Sequence, residues 1–142
     1  MHLIVYISEY SGGKTLIHED LIGIIEESQR NNSDAKITGL LFYHDQHFLQ
    51  IIEAQQQTLE NLMTVLEADQ RHNNIQRVVD EPISKRSFSD WNMASFNLSN
   101  EESFEPEEIK RITKLFKKNV NISASGGGLL VKFYQAMLTK SS

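Results

Sequence analysis

KITGLLFYHDQHFLQIIE, residues 36–53, holds two apolar runs on either side of a short polar break, and how they pair decides the fold. KITGLLFY (36–43) and HFLQIIE (47–53), separated by His44-Asp45-Gln46, predict a β-hairpin. Short runs rich in β-branched and aromatic residues suit pleated strands, and polar residues between them suit a turn. In the second run, alternation puts Phe48, Gln50 and Ile52 on one face and Leu49, Ile51 and Glu53 on the other. A glutamine therefore stands between two large apolar residues on a core face. A buried amide without a partner costs roughly 1–3 kcal/mol, so Gln50 requires one, from the protein or from a ligand.

Outward from the hairpin, the pattern alternates strands with helices. LIVYIS (3–8) is a strand that SGG (11–13) interrupts. A helix follows from about Ile17 to Arg30, with Leu21, Ile24, Ile25 and Ser28 at helical spacing and Glu19 and Asp20 in the first turn. Asn31-Asn32-Ser33-Asp34 ends it. A second helix spans 57–68, with Leu59, Leu62, Met63 and Leu66 as its apolar stripe, and DQRHNN (69–74) closes it. IQRVVDEPIS (75–84) is a fourth strand, with Pro82 at its margin or on a sheet edge, and DWNMASFN (90–97) is a fifth. This order, β-α-β-β-α-β-β, predicts an α+β fold: a ferredoxin-like, five-stranded mixed sheet with both early helices on one face. The strands are apolar on both sides, so the second face requires a cover as well.

After Asn97 the composition changes. Acidic SNEESFEPEE precedes basic IKRITKLFKK, and Pro106 suits the first turn of a helix with Ile109, Ile112 and Phe116 on its buried side. NISASGGG then reads as a connector, and LLVKFYQAML as a last helix carrying Leu130, Phe133, Tyr134 and Met137. The division expected is a domain over residues 1–97 and a helical extension over 98–142. Its helices, or a partner subunit, cover the second face.

Bulk properties exclude several classes. A net charge of −5 argues against a nucleic-acid partner. The longest apolar runs are strand-length, so no membrane span is expected, and the opening MHLIVYIS lacks the features of a secretion signal. The absence of cysteine removes disulfides and thiolate chemistry and fits a cytoplasmic protein. SGGKT (11–15) follows a strand, but Ser8 stands where a phosphate-binding loop needs its first glycine. His44 and His47 lack a third ligand, so no metal site is expected. No arrangement for nucleophilic or paired-carboxylate catalysis stands out.

Three polar features remain: Gln50, Tyr6 on the face shared with Ile4, and Asn31-Asn32 at the end of the first helix. Each has an ordinary explanation, since a tyrosine can bond locally, an asparagine can cap a helix and a glutamine can satisfy a neighbouring backbone group. In the expected fold, however, strands one and three are the central pair beneath both helices. Tyr6, Gln50 and the helix end can then converge between apolar walls from Ile24, Phe48 and Leu66, a pocket suited to a flat heteroaromatic ligand.

The chain resembles the BLUF domains, blue-light sensors that use FAD. The resemblance is carried by LIVYIS with Tyr6-x-Ser8, SQRNN (28–32), ITGLLFY (37–43), FLQIIE (48–53), DQRH (69–72) and FSDWNM (88–93), in family order across roughly residues 2–97. It implies a flavin held between the two helices over the sheet, with FMN or riboflavin as possible substitutes. On that resemblance Tyr6 is the electron and proton donor, and Gln50 bridges it to the ring. Asn31, Asn32 and Ser28 lie near the polar edge of the ring, and Asp69, Arg71 and His72 near the ribityl and phosphate end. Trp91 and Met93, on the fifth strand, change environment as the signal leaves, and Ser8 belongs to the photoactive set. The family commonly has glycine where this chain has Ala54, and Asp-Gly where it has Asp45-Gln46. Alanine resists positive φ, so the start of the second helix is expected to differ.

The function expected is that of a short, stand-alone photoreceptor with no enzymatic turnover. It signals through a homo-oligomer and a downstream effector protein not identifiable from the sequence. The alternative is a light-independent ferredoxin-like module that binds a small ligand or oligomerises.

Overall fold

The computed structural model describes residues 1–12, 16, 17, 19, 20, 22–24, 26, 36–86, 92–97 and 114, the 92–97 segment by its backbone. The hairpin forms with β2 at Thr38–His44 and β3 at His47–Ala54. Its turn is tighter than the sequence suggests: His44 pairs with His47, so only Asp45 and Gln46 lie between the strands. Both have positive φ, 49° and 64°, the backbone of a tight hairpin turn whose twist matches the strands. Glycine is the usual residue there. Here the turn is tied down by side chains instead: His47 Nδ1–H donates to the Asp45 carbonyl at 2.8 Å, and Gln46 Nε2 donates to the Tyr43 hydroxyl at 3.0 Å.

β1 runs His2–Tyr10, longer than the predicted 3–8, because Glu9 finds partners on both flanks and Tyr10 N–H donates to the Gln46 carbonyl. It lies between β3 and β4 (His72–Pro82), antiparallel to both. β5 (Asn92–Asn97) joins β2 in parallel, giving the order β4-β1-β3-β2-β5. The architecture is α+β, with β1 and β3 central and Pro82 ending an edge strand.

β4 corrects the sequence reading. It starts at His72, within the stretch expected to be a connection, and two register shifts interrupt its pairing with β1. Asn74 sits at positive φ, 51°, between the pairs Ile7–Gln76 and Glu9–Asn73. Such a bulge inserts a residue and resets which side chains face which way. His72 consequently pairs with Tyr10 and shares a face with Arg77, five positions on, where unbroken alternation would oppose them.

The helix Gln56–Ala68 lays Leu59 and Met63 onto this face, and both are fully buried. Ala54 remains a buried strand residue, and Gln55 leads into the helix at φ −63° and ψ 146°. The connection therefore needs no left-handed residue, and alanine is tolerated. Arg77 holds the helix to β4 through two hydrogen bonds to Glu60, at 2.8 and 3.0 Å. Residues 17, 19, 20, 22–24 and 26 are helical, within the first predicted helix. The opposite face of the sheet, with Val5, Leu40, Leu49 and Ile51, is buried as well. The helices expected after Pro106 lie outside the described residues apart from Lys114, which is helical. Among the described residues, no helix is long and apolar enough to cross a membrane.

Gly39 is the tightest point of the hairpin. Its φ is 157°, and a Cβ there would lie 1.9 Å from the Ile51 carbonyl oxygen. Gly39→Ala is expected to destabilise the fold by about 3 kcal/mol through backbone strain and displacement of β3. The urea midpoint relative to wild type measures it.

Candidate functional site

The register of the central strands places Tyr6 directly beside Gln50, and Gln50 beside Leu41 of β2. Tyr6 and Gln50 are only 2% and 3% exposed. The partner that Gln50 requires is a phenol: the Tyr6 hydroxyl donates to Gln50 Oε1. Burial, and secondarily the charge of Asp69, pushes the Tyr6 phenol well above the usual tyrosine range. Tyr6 therefore stays protonated and acts as the donor. With Oε1 accepting, the far end of the Gln50 amide is a donor group.

Around this pair lies a cleft lined by Tyr6, Ile24, Leu41, Phe48, Gln50, Leu66, Asp69, Arg71 and His72. Its walls are apolar, from Ile24, Leu41, Phe48 and Leu66, and its polar groups come from strand centres and from the Asp69–His72 segment. That combination, a mostly apolar cleft with a few placed polar groups, is the usual form of a small-molecule site.

The segment after the helix Gln56–Ala68 is built by local bonds. Asp69 leaves the helix with extended backbone, its N–H on the Leu66 carbonyl. Its carboxylate accepts from Arg71 three ways: from Nη2 at 2.6 Å, from Nε at 3.0 and 3.1 Å, and from the backbone N–H at 2.9 Å. Burial alone would raise the Asp69 carboxyl. The Arg71 bonds and charge outweigh it, with help from His72, and hold it below its ordinary value.

His72 is spoken for by the protein at both ring nitrogens. Nε2 lies 2.8 Å from the Leu66 carbonyl and Nδ1 2.8 Å from Ser8 Oγ. A carbonyl only accepts, so Nε2 carries the proton, and in the neutral ring Ser8 donates to Nδ1. The imidazole stands edge-on to Tyr6 and Phe48, with centroids 6.0 and 6.2 Å apart. It thus buttresses the two rings that form the cleft wall and ties them to the helix end.

Of the residues expected at the site, Tyr6, Ile24, Phe48, Gln50, Leu66, Asp69, Arg71 and His72 come together in one cleft. Ser8 sits behind it, buried and bonded to His72. Ser28, Asn31, Asn32 and Trp91 lie outside the described residues, and Met93 is described only as a backbone position in β5. Leu41 was missed. A three-residue turn pairs the strands one step out of register, whereas the two-residue turn observed sets Leu41 opposite Gln50.

Sequence and structure comparisons bear on what such a site serves. The family described as BLUF, sensors of blue light using FAD, matches residues 1–94. The photoactivated adenylate cyclase subunit beta of Euglena longa is 27% identical over 116 residues, 80% of this chain and 13% of that protein. Its Euglena gracilis counterpart is 26% identical over the same length. A bacterial light-regulated adenylyl cyclase structure superimposes with a TM-score of 0.67 at 31% identity, covering 82% of this chain and 34% of that one. The dark-state structure of BlrB, a BLUF protein, gives a TM-score of 0.67 at 24% identity over 95% of this chain and 94% of that one. This last likeness speaks to the fold. The chain spans only 13% of the curated cyclase subunits it matches.

The Asp69–Arg71 pair yields a pH-dependent prediction. A carboxyl held below its unfolded value contributes stability that is complete above that value, here 3.8, and lost as pH falls through the folded one. Asp69→Asn should therefore be less stable than wild type at neutral pH, and the gap should close as the pH drops below 3.8. Thermal unfolding of both proteins across an acid pH series measures this.

Proposed function

Because the chain belongs to the BLUF family, the sensors of blue light using FAD, we propose that it is a blue-light photoreceptor module with FAD held non-covalently in the cleft. The observation that carries this reading is the buried hydrogen bond from Tyr6 to Gln50, set on the wall of an apolar cleft. The residues present suit a flavin ring: the apolar walls would take its faces, and the Tyr6–Gln50 pair would stand at its polar edge. Ile24, Leu41, Phe48 and Leu66 would hold the ring, and Asp69 and Arg71, at the polar end of the same cleft, would meet the chain beyond it. Ser28, Asn31 and Asn32 complete the contacts on this reading. On this reading FMN or riboflavin can take the place of FAD.

FAD, when bound, supplies the absorption of blue light and a strongly oxidising excited state. The protein's part is to provide an electron and a movable proton beside it. Tyr6 would give one electron to the light-excited group and pass its hydroxyl proton along the bond to Gln50 Oε1, and both would return to Tyr6 as the charges recombine. The Gln50 amide then rearranges, because it carries donor and acceptor on one group. The altered hydrogen bond persists as a red-shifted signalling state. On this reading the signal leaves by way of Trp91 and Met93 to the 98–142 extension, which reads it out in a homo-oligomer or to an effector protein. No substrate is turned over, so the chain acts as a sensor and not as an enzyme, in the cytoplasm.

The test is spectroscopic. Purified protein supplied with FAD should turn yellow and show a reversible red shift under blue light. Gln50→Leu should keep the flavin and lose the shift entirely. A chain that takes up no flavin sinks the photoreceptor reading in favour of a light-independent module, and a normal light response in Gln50→Leu sinks the role given to that residue. Removal of residues 98–142 should leave the photocycle intact and abolish light-dependent assembly, read by size-exclusion chromatography in darkness and in light.

A further inference from the structure

Tyr10 ends β1 on the same face as Tyr6, and the photochemistry proposed above makes no use of it. It is 6% exposed and stands edge-on to Phe48, with centroids 5.5 Å apart. Phe48 is itself a wall of the cleft. Tyr10 is thus one ring behind the place where a ligand would lie. Its hydroxyl donates to Asp20 Oδ2, from the first helical segment.

That partner distinguishes it from the other described tyrosines. Tyr6 donates to an amide oxygen, and the Tyr43 hydroxyl accepts from the Gln46 amide. Loss of an electron turns a phenol into a very strong acid, so oxidation is easiest where the proton has a base to receive it. A carboxylate is such a base, and an amide oxygen is a far weaker one. Burial, the Asp20 hydrogen bond and its charge together raise the Tyr10 phenol above its ordinary range. A preformed phenolate is therefore not the species that reacts, and electron and proton have to leave together.

We propose that Tyr10, with Asp20 as its proton acceptor, is a second redox-active tyrosine that gives one electron to an oxidant seated in the cleft. The identity of that oxidant, a light-excited flavin, rests on the photoreceptor reading; the chemistry of the Tyr10–Asp20 pair does not. In the step, one electron leaves the Tyr10 ring past Phe48 and reduces the oxidant by one electron. The hydroxyl O–H bond breaks, and its proton forms a bond to Asp20 Oδ2. The products within the protein are a neutral tyrosyl radical and a neutral carboxylic acid. Return of the electron and proton restores both. Since the carboxylate holds the proton better than the Gln50 amide does, a hole formed at Tyr6 also comes to rest at Tyr10, in competition with the Gln50 rearrangement.

The experiment uses the full chain without flavin and a soluble ruthenium photosensitiser with persulfate as the one-electron oxidant. Radicals are trapped by freezing and read by electron paramagnetic resonance. Tyr10→Phe should lose most of the tyrosyl signal, and Tyr43→Phe should keep it. Asp20→Asn should lose most of it too, although Tyr10 is still present, because the base is gone. An undiminished signal in Tyr10→Phe or in Asp20→Asn overturns the proposal. If either variant does not fold, a fluorotyrosine placed at position 10 of the otherwise native chain decides it: fluorine hyperfine splitting supports the assignment, and its absence overturns it. Flavin uptake is measured separately by absorbance. A chain that binds flavin but forms no radical at Tyr10 loses this inference alone, and one that forms the radical but binds no flavin loses the photoreceptor reading alone.

Discussion

Two polar side chains, a phenol and an amide, are buried side by side on the central strands, and the phenol donates a hydrogen bond to the amide oxygen. Unpaired, either group would cost roughly 1–3 kcal/mol, so the arrangement persists only while β1 and β3 keep their register. A slip of one residue would turn Tyr6 or Gln50 to the opposite face. Features far from the pair serve that constraint. The tight turn at Asp45-Gln46 sets the hairpin, Gly39 lets β2 close against Ile51, and the Tyr10–Gln46 backbone bond locks the end of β1 onto the turn.

The second side of the cleft is made by an irregularity. β4 is an edge strand, and its bulge at Asn74 lets His72 face the core, where it bonds to Ser8 on β1 and to the Leu66 carbonyl at the helix end. One imidazole thereby connects strand, helix and the two aromatic rings that wall the cleft. The salt bridge of Asp69 and Arg71 folds the same segment back on itself. An ion pair this accessible contributes modestly to stability. Its larger effect is to set the shape and charge of the cleft's polar end, where the negative and positive groups largely offset each other.

On the helix side of the sheet, aromatic rings meet edge to face through Tyr43, Tyr10, Phe48, His72 and Tyr6. Such contacts pack the core well. They also put two phenols close to one cleft, each with a different proton acceptor. An amide favours rearrangement of the hydrogen bond, and a carboxylate favours capture of the proton. On the readings proposed above, this chain's own residues set the balance between these outcomes.

Alternation and helical spacing were enough to give the order of the described strands and the second helix, the face shared by Phe48, Gln50 and Ile52, and the need of Gln50 for a partner. Those are local properties, carried by side-chain period and by the cost of burying an amide. The motifs across residues 1–94 were likewise legible as a family pattern. Three things were not legible: the two-residue turn that brings Leu41 opposite Gln50, the bulge that turns His72 inward, and the pairing of Tyr10 with Asp20. The first two depend on single residues adopting positive φ without glycine, which a sequence pattern does not signal. The third joins a strand end to a helix start, and only the packing of one against the other brings the hydroxyl to the carboxylate.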